Sequence, residues 1–337
     1  MRHAELLKTG LKMNTHRRNL ISLCALAPLF RTGPAGAQAF PDRPVKLVVP
    51  FATGGASDTF ARVVGQALSE RLGQPFVVEN RTGAGGTVAA ALVARAPADG
   101  YTLFVGDIGT HGIASALYPK LAYDPIKDFV PISHSVASVL VVVVPPTVPA
   151  RDMRAFIALA RAKPGRIDYA SSGSGGVSHL AVEMLKAQTG TYMVHVPYKG
   201  GAPALTDLMG SQVQMMMPSV STSLQHIRSG KLRALAVASG KRSAVLPEVP
   251  TMRESGLPDY VVEPWVGIMA PAGTPKAVTD LLDREFAAVL ALPAVREKLS
   301  VQGFEVIGGN GEALARVIKA DVARWGPIVR QSGAVVE

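Results

Sequence analysis

The chain has 337 residues, of which 48% are hydrophobic and 18% charged, with 33 glycines and 25 prolines. That length accommodates one large or two medium domains, and the composition excludes a disordered chain. The formal charge of +10 falls to +5, with 29 basic and 24 acidic groups, once residues 1–39 are set aside, which leaves no clustered basic surface of the kind nucleic acid needs.

Residues 1–39 read as a secretory signal. Arg17 and Arg18 close a basic region, Leu20 to Phe30 is apolar, and Ala37-Gln38-Ala39 fits a cleavage site. Eleven apolar-rich residues are too few to span a bilayer. Arg17-Arg18-Asn19-Leu20-Ile21 also matches a twin-arginine signal loosely. Cys24, the only cysteine, lies within this segment, so residues 40–337 can form neither a disulfide nor a thiolate metal site.

From Val45 the pattern is strand, glycine loop, helix, repeated. Val45–Val49 is a short apolar run ending at Pro50. Phe60, Val63, Val64, Ala67, Leu68 and Leu72 recur at helical spacing, and Gly73 stops that helix. A strand at 76–79, a glycine loop, an alanine-rich helix to Ala96 and a strand at 101–105 follow. The loop 106–112 leads to a short helix ending near Tyr118. The strand 139–144, closed by Pro145-Pro146, crosses into a second lobe. There helices at 152–162, 176–189, 202–209 and 221–229 alternate with strands at 167–170, 193–196, 213–217 and 233–238. A return strand is expected over 260–270, then helices near 275–291, 293–300 and 311–331. Such alternation predicts parallel sheets covered on both faces. The expected domains are a signal over 1–39, a discontinuous first lobe over 40–141 and 251–337, and a second lobe over 142–250.

Parallel α/β sheets bind ligands at the carboxyl ends of their strands. Three loops are expected there. The first runs through Phe51, Thr53, Gly54, Gly55, Ser57 and Asp58 into a helix, whose amides and dipole favour an anion. Asp58, or Ser57, also suits a cap or first-turn position in that helix. The second loop holds Asp107 and Thr110. The third is Ser171-Ser172-Gly173-Ser174-Gly175-Gly176-Val177-Ser178, which brings amides and hydroxyls but no side chain for acid–base work. Tyr198 is a candidate pocket wall, as is Trp265, and Lys199 is weighed as an anion contact against an outward lysine. His179 and His195 read as structural.

Enzyme motifs are missing. There is no P-loop, and Val88 and Ser178 occupy the third glycine position of the two dinucleotide-like stretches. The histidines show no metal-ligand spacing. No cofactor and no metal are expected. A hydrolase using Ser172 or Ser174 with His179 lacks a nucleophile elbow.

The residues resemble a family at this point. Pro50-Phe51 with Gly54-Gly55 and Asp58, Val78-Glu79-Asn80-Arg81 with Gly83-Ala84-Gly85-Gly86, and Asp99-Gly100-Tyr101-Thr102-Leu103 carry the first part of the match. Leu117-Tyr118-Pro119-Lys120-Leu121, Val194-His195-Val196-Pro197-Tyr198-Lys199-Gly200, Lys231-Leu232-Arg233-Ala234-Leu235-Ala236-Val237 and Ala270-Pro271-Ala272-Gly273-Thr274-Pro275 carry the rest. Over about Phe40 to Ala334 the chain resembles the Bug family, the extracytoplasmic solute receptors of tripartite tricarboxylate transporters. The resemblance implies an α/β, type II periplasmic-binding-protein fold, with two doubly wound lobes joined by two crossing strands. It implies a monomeric, non-enzymatic periplasmic protein that captures a small carboxylate with the amides of loops 51–58 and 171–178. It also implies a partner, an integral membrane permease of two subunits. Sensing without transport, or service to a primary pump for sulfonates or phosphonates, are the alternatives. Two departures stand out. Thr53 replaces a common proline, and Met217-Pro218-Ser219 replaces Phe-Asp-Asn, which places Pro218 and Ser219 among the expected ligand contacts. Loss of that acidic residue disfavours an amino-acid ligand. Val213, Met215 and Met217, alternating along one strand, suggest an adaptable wall for a less polar mono- or dicarboxylate.

Overall fold

A computed structural model describes residues 40–198 and 200–334. The expected signal sequence and Lys199 lie outside the described residues.

Two sheets organise the fold. The first contains β1 (Val45–Val49), β2 (Phe76–Asn80), β3 (Thr102–Asp107), β4 (Phe129–Ser138), β10 (Trp265–Pro271) and β11 (Phe304–Asn310), in the order β11-β4-β10-β3-β1-β2. The second contains β5 (Val141–Val144), β6 (Asp168–Ser171), β7 (Val194–Pro197), β8 (Met215–Met216) and β9 (Arg233–Val237), in the order β7-β6-β8-β5-β9. Neither sheet is wholly parallel, contrary to the sequence expectation. β10 runs antiparallel to both β3 and β4, and β5 runs antiparallel to both β8 and β9. These two strands enter their sheets from the opposite sheet, so they arrive from the end at which the parallel strands leave.

Helices cover both faces of each sheet. α1 (Ala56–Leu72), α8 (Lys276–Ala291) and α9 (Pro293–Val301) pack on one face of the first sheet, around Phe60, Leu68 and Phe286. α6 (Gly201–Met209) and α7 (Val220–Arg228) cover the outer face of the second, with Leu205, Leu208 and Leu224. The remaining faces share one apolar cluster. α2 (Thr87–Ala94), α3 (Ala114–Leu117) and α10 (Gly311–Ser332) bring Ala89, Leu117 and Trp325 to it, and α4 (Met153–Ala162) and α5 (Val177–Thr189) bring Phe156 and Leu180. Tyr260, Val262 and Trp265 belong to the same cluster, so the core is continuous from one sheet to the other. Local signals end the helices as elementary chemistry requires. Gly73 takes a left-handed φ of 68° after α1, and Asp152 accepts the Ala155 N–H at 2.8 Å to start α4.

The carboxyl ends of the parallel strands converge on the crossing. Asp107 at the end of β3 pairs with Val266, one residue into β10, and Val237 at the end of β9 pairs with Val141, the first residue of β5. Leu140, just before β5, bridges Ser219, beyond the end of β8. The loops after β1, β2 and β3 therefore leave the first sheet on the side from which the second sheet's loops approach.

Val213, Met215 and Met217 are all buried, at 2%, 0% and 0% exposure. Met217 Sδ lies 3.4 Å from the Tyr260 hydroxyl. These side chains fill the core, and the alternation reflects packing in place of a ligand wall.

Candidate functional site

The loop after β1 is held by one carboxylate. Asp58 lies in the first turn of α1, with its side chain 2% exposed. Its Oδ2 accepts the Gly54 N–H and the Arg62 Nε–H, each at 2.9 Å. Its Oδ1 accepts from Arg62 Nη2 and Asn80 Nδ2, again at 2.9 Å. Burial raises the Asp58 pKa, but the Arg62, Gly54 and Asn80 hydrogen bonds outweigh it and hold the carboxyl below its ordinary 3.8. Asp58 thus faces into the loop, and Asn80 Nδ2 also reaches the Phe51 carbonyl at 2.9 Å. Asp58→Asn is expected to cost about 2 kcal/mol of stability at pH 7. Because the folded pKa is depressed, this contribution is present above 3.8 and is lost as pH falls through the folded value. Urea denaturation at pH 7 and at pH 3 checks both the size and the direction, with the gap between the two proteins smaller at the lower pH.

The Gly54 amide is spent on Asp58, and the Gly55 amide meets the Ala52 carbonyl at 3.3 Å. The N-cap Gly55 has no side chain to cover the helix start. The amides of Ala56, Ser57 and Asp58 therefore have no acceptor among the described residues, as the first turn of a helix dictates. Thr53 is exposed, and its hydroxyl donates to Asn80 Oδ1 at 3.3 Å.

Asp107 and Thr110 bond to each other. Asp107 Oδ1 accepts the Thr110 N–H and the Thr110 hydroxyl, both at 2.9 Å, and Thr110 is fully buried. Tyr123 donates to the Thr110 carbonyl at 2.6 Å, and His111 Nδ1 lies 3.0 Å from the Thr110 hydroxyl. This network braces the π-helical turn Gly109–Ile113. Thr110 also presses on Gly86. A Cβ there would sit 2.8 Å from both Thr110 Cγ2 and Pro50 Cβ, and φ is +92°, so glycine is required where the loops after β1, β2 and β3 meet.

The loop after β6 is likewise braced from within. Ser171, fully buried, contacts His195 Nε2 through its hydroxyl at 2.7 Å and also bonds Gly173. The Ser172 amide donates to Ser178 Oγ at 3.2 Å, the Gly175 amide to His179 Nδ1 at 3.0 Å, and the Gly176 amide to the Gly173 carbonyl at 3.4 Å. The amides of Ser174, Val177 and Ser178 have no acceptor among the described residues, and no side chain caps α5. Ser172 and Ser174 are exposed. Tyr198, half-buried, donates to Asp207 Oδ2 at 2.8 Å. Pro218 is buried at the crossing, where its carbonyl accepts the Val141 N–H, and the Ser219 hydroxyl bonds those of Ser221 and Thr222.

The two loop systems touch. Gly175 has φ +73°, and a Cβ there would come within 2.2 Å of Leu117 Cδ2 from α3. Glycine is needed both for the backbone conformation and for this close approach of the two sheets' loops. A cavity of about 630 Å³ lies elsewhere, between α5 and α10, and none of the three loops lines it.

The sequence located the loops and missed which amides they leave free. Ala56 and Val177 lie within the expected loops but were not singled out, yet each opens a helix without a capping side chain. Arg62 and Asn80, which secure the first loop, were also missed. The four-residue spacing of Asp58 and Arg62 was the available signal.

The chain is similar to several known proteins. The model of the tripartite tricarboxylate transporter family receptor matches residues 60–334. Protein BugT of Bordetella pertussis is 38% identical over 302 residues, covering 89% of this chain and 93% of its own. The structure of R. palustris Rpa4515 with adipate is 36% identical with a TM-score of 0.81, covering 88% of this chain and 99% of that one. MatC from Rhodopseudomonas palustris with bound malate is 37% identical with a TM-score of 0.77, covering 86% and 100%. The fold is that of the type II periplasmic binding proteins, and its neighbours are solute-binding receptors. The chain belongs to the tripartite tricarboxylate transporter receptor family, among the Bug proteins.

Proposed function

We propose that the protein is an exported solute-binding receptor that holds a small mono- or dicarboxylate between the starts of α1 and α5, and passes it to a two-subunit membrane permease. The observation carrying this reading is the pair of uncapped helix starts at the carboxyl ends of strands in two sheets, with the amides of Ala56, Ser57 and Asp58 on one and of Ser174, Val177 and Ser178 on the other. Helix dipoles and amide donors both favour a carboxylate. Each amide bond to a charged oxygen contributes about 1.5–3 kcal/mol, so three or four support micromolar binding, which needs about 8 kcal/mol net. The hydroxyls of Thr53, Ser172 and Ser174 are exposed beside these amides and suit the polar remainder of a ligand. Relatives with adipate and malate bound support the ligand class. The permease partner is inferred from the family's name, and export from the signal-like residues 1–39.

Isothermal titration with malate, adipate, aromatic monocarboxylates and aspartate tests the reading. Micromolar binding of a simple carboxylate is expected, with aspartate weaker because Met217-Pro218-Ser219 offers no carboxylate for an ammonium group. A protein that binds none of the simple carboxylates, or prefers aspartate, sinks it.

A further inference from the structure

We propose that His179 and His195 are positioning residues for the ligand site, a stacked imidazole pair that sets the shape of the Ser171–Ser178 loop. The assignment of a ligand to that loop rests on the function proposed above.

The two rings come from different elements, His179 from the first turn of α5 and His195 from β7. Their centroids lie 3.8 Å apart with planes 7° from parallel. Tyr169 of β6 stacks on His195 at 4.9 Å. Each imidazole directs one nitrogen at the loop: His195 Nε2 meets Ser171 Oγ at 2.7 Å, and His179 Nδ1 meets the Gly175 amide at 3.0 Å.

Hydrogen-bond counting assigns the protons. Ser171 Oγ has one proton and two lone pairs. The Gly173 carbonyl, 3.0 Å away, takes the proton, and the Gly173 N–H, 3.2 Å away, fills one lone pair. With the Ser171 proton on the Gly173 carbonyl, the 2.7 Å contact takes its proton from the imidazole, which places it on His195 Nε2. The Gly175 N–H needs an acceptor, so His179 Nδ1 is bare and its proton is also on Nε2, facing Glu183 Oε1 at 3.8 Å. Both rings are therefore neutral Nε2–H tautomers.

The other charged and titratable groups around the pair fit that state. Glu183 Oε1 accepts from the Tyr169 hydroxyl and, at 2.7 Å, from Lys186 Nζ. Burial lowers the His179 pKa, with Glu183 opposing and Lys186 assisting. Burial, His179 and Lys186 together bring His195 down to about 4. A proton on His179 Nδ1 would point an N–H at the Gly175 N–H.

The pair consumes the inner donors of the loop and leaves the outer ones. With Gly173 and Gly175 tied inward through Ser171 and His179, the free amides are those of Ser174, Val177 and Ser178. Without the pair, the Gly175 N–H would turn outward or lose its partner, and the set of amides offered to a carboxylate would change.

The test uses His179→Phe, which keeps the ring and removes the acceptor, and His179→Asn, whose Oδ1 occupies the Nδ1 position. With malate or adipate as probe, His179→Phe should weaken binding at least tenfold at pH 7.5, and His179→Asn should recover to within about threefold of the parent. Amide exchange at Gly175 should speed up at least tenfold in the Phe variant only, and ring ¹⁵N shifts of the parent should report two neutral Nε2–H imidazoles. Unchanged affinity and exchange in the Phe variant, an Asn variant as weak as Phe, or an Nδ1–H imidazole on either residue overturns the proposal. If the parent binds neither dicarboxylate, the functional reading loses its support, while the exchange and ¹⁵N results still decide the positioning role. If His179→Phe does not fold, His195→Gln, which keeps an N–H for Ser171, against His195→Leu makes the same comparison.

Discussion

Lowering the pH from 6.5 to 4 is expected to remove about 3 kcal/mol of folding stability through His111 alone. His111 is fully buried, and desolvation brings its pKa from 6.5 to about 3. The unfolded chain takes up a proton near 6.5 that the folded protein refuses until about 3, so stability is fully present above 6.5 and declines as pH falls through that window. At about 1.36 kcal/mol per unit, the drop from 6.5 to 4 amounts to about 3 kcal/mol. The surroundings leave the ring no easy proton. Its Nδ1 bonds Thr110, its Nε2 has no partner among the described residues, and Phe104, Tyr123 and Phe129 enclose it, with centroids 4.7–6.0 Å away. Asp107 and Asp321 act in the opposite sense, because burial raises their carboxyls above the ordinary 3.8. Comparison of the parent with His111→Phe isolates the histidine: urea-derived stabilities should differ by about 3 kcal/mol more, in favour of the variant, at pH 4 than at pH 7. Parallel stability–pH curves would show that His111 contributes nothing to acid sensitivity.

Trp265→Ala is expected to cost about 3–5 kcal/mol, near the upper end of single-residue effects. Trp265 is 2% exposed at the start of β10, where the chain re-enters the first sheet, and it belongs to the cluster shared by both sheets. Its Nε1–H donates to Asp321 Oδ2 of α10 at 2.7 Å. Truncation therefore opens a cavity and also strips a buried carboxyl of a donor. Trp265→Phe separates the two: it keeps most of the ring and should cost about 1–3 kcal/mol for the unpaired carboxyl. Trp325 then remains as the sole tryptophan fluorophore to follow unfolding. An alanine variant within 1 kcal/mol of the parent would sink this account.

Helices with a clear apolar stripe were legible from the sequence, as were short runs of β-branched residues such as Val45–Val49 and Val141–Val144. Two strands were not. β4 carries Pro131, Ser133, His134, Ser135 and Ser138, and these polar residues mask a strand whose Ser133 and Ser135 are nonetheless buried. β11 is an edge strand with Gly308-Gly309 at a break in its register, which removes the alternation that identifies a strand. The return strand begins at Trp265 and not at 260, because Tyr260 and Val262 are buried by packing outside the ladder. The family resemblance, carried by motifs from about Phe40 to Ala334, agrees with the family match. The loops at the strand ends were legible as runs of glycine and serine. The division of their amides between inner and outer partners was not, because it depends on Asp58, His179 and His195 meeting those amides in three dimensions.

The crossing itself constrains how such a receptor moves. Only Val139 and Leu140 separate β4 from β5, while residues 238–264 make the other passage. Main-chain bonds pin the two side by side, from Ser138 N–H to the Pro264 carbonyl at 2.6 Å and from Ala238 N–H to the Leu140 carbonyl at 2.8 Å. A seam stitched in this way resists sliding and lengthening. On the function proposed above, a ligand would enter and leave by a swing about one fixed line, with the travel greatest at the rims and almost none beside Leu140.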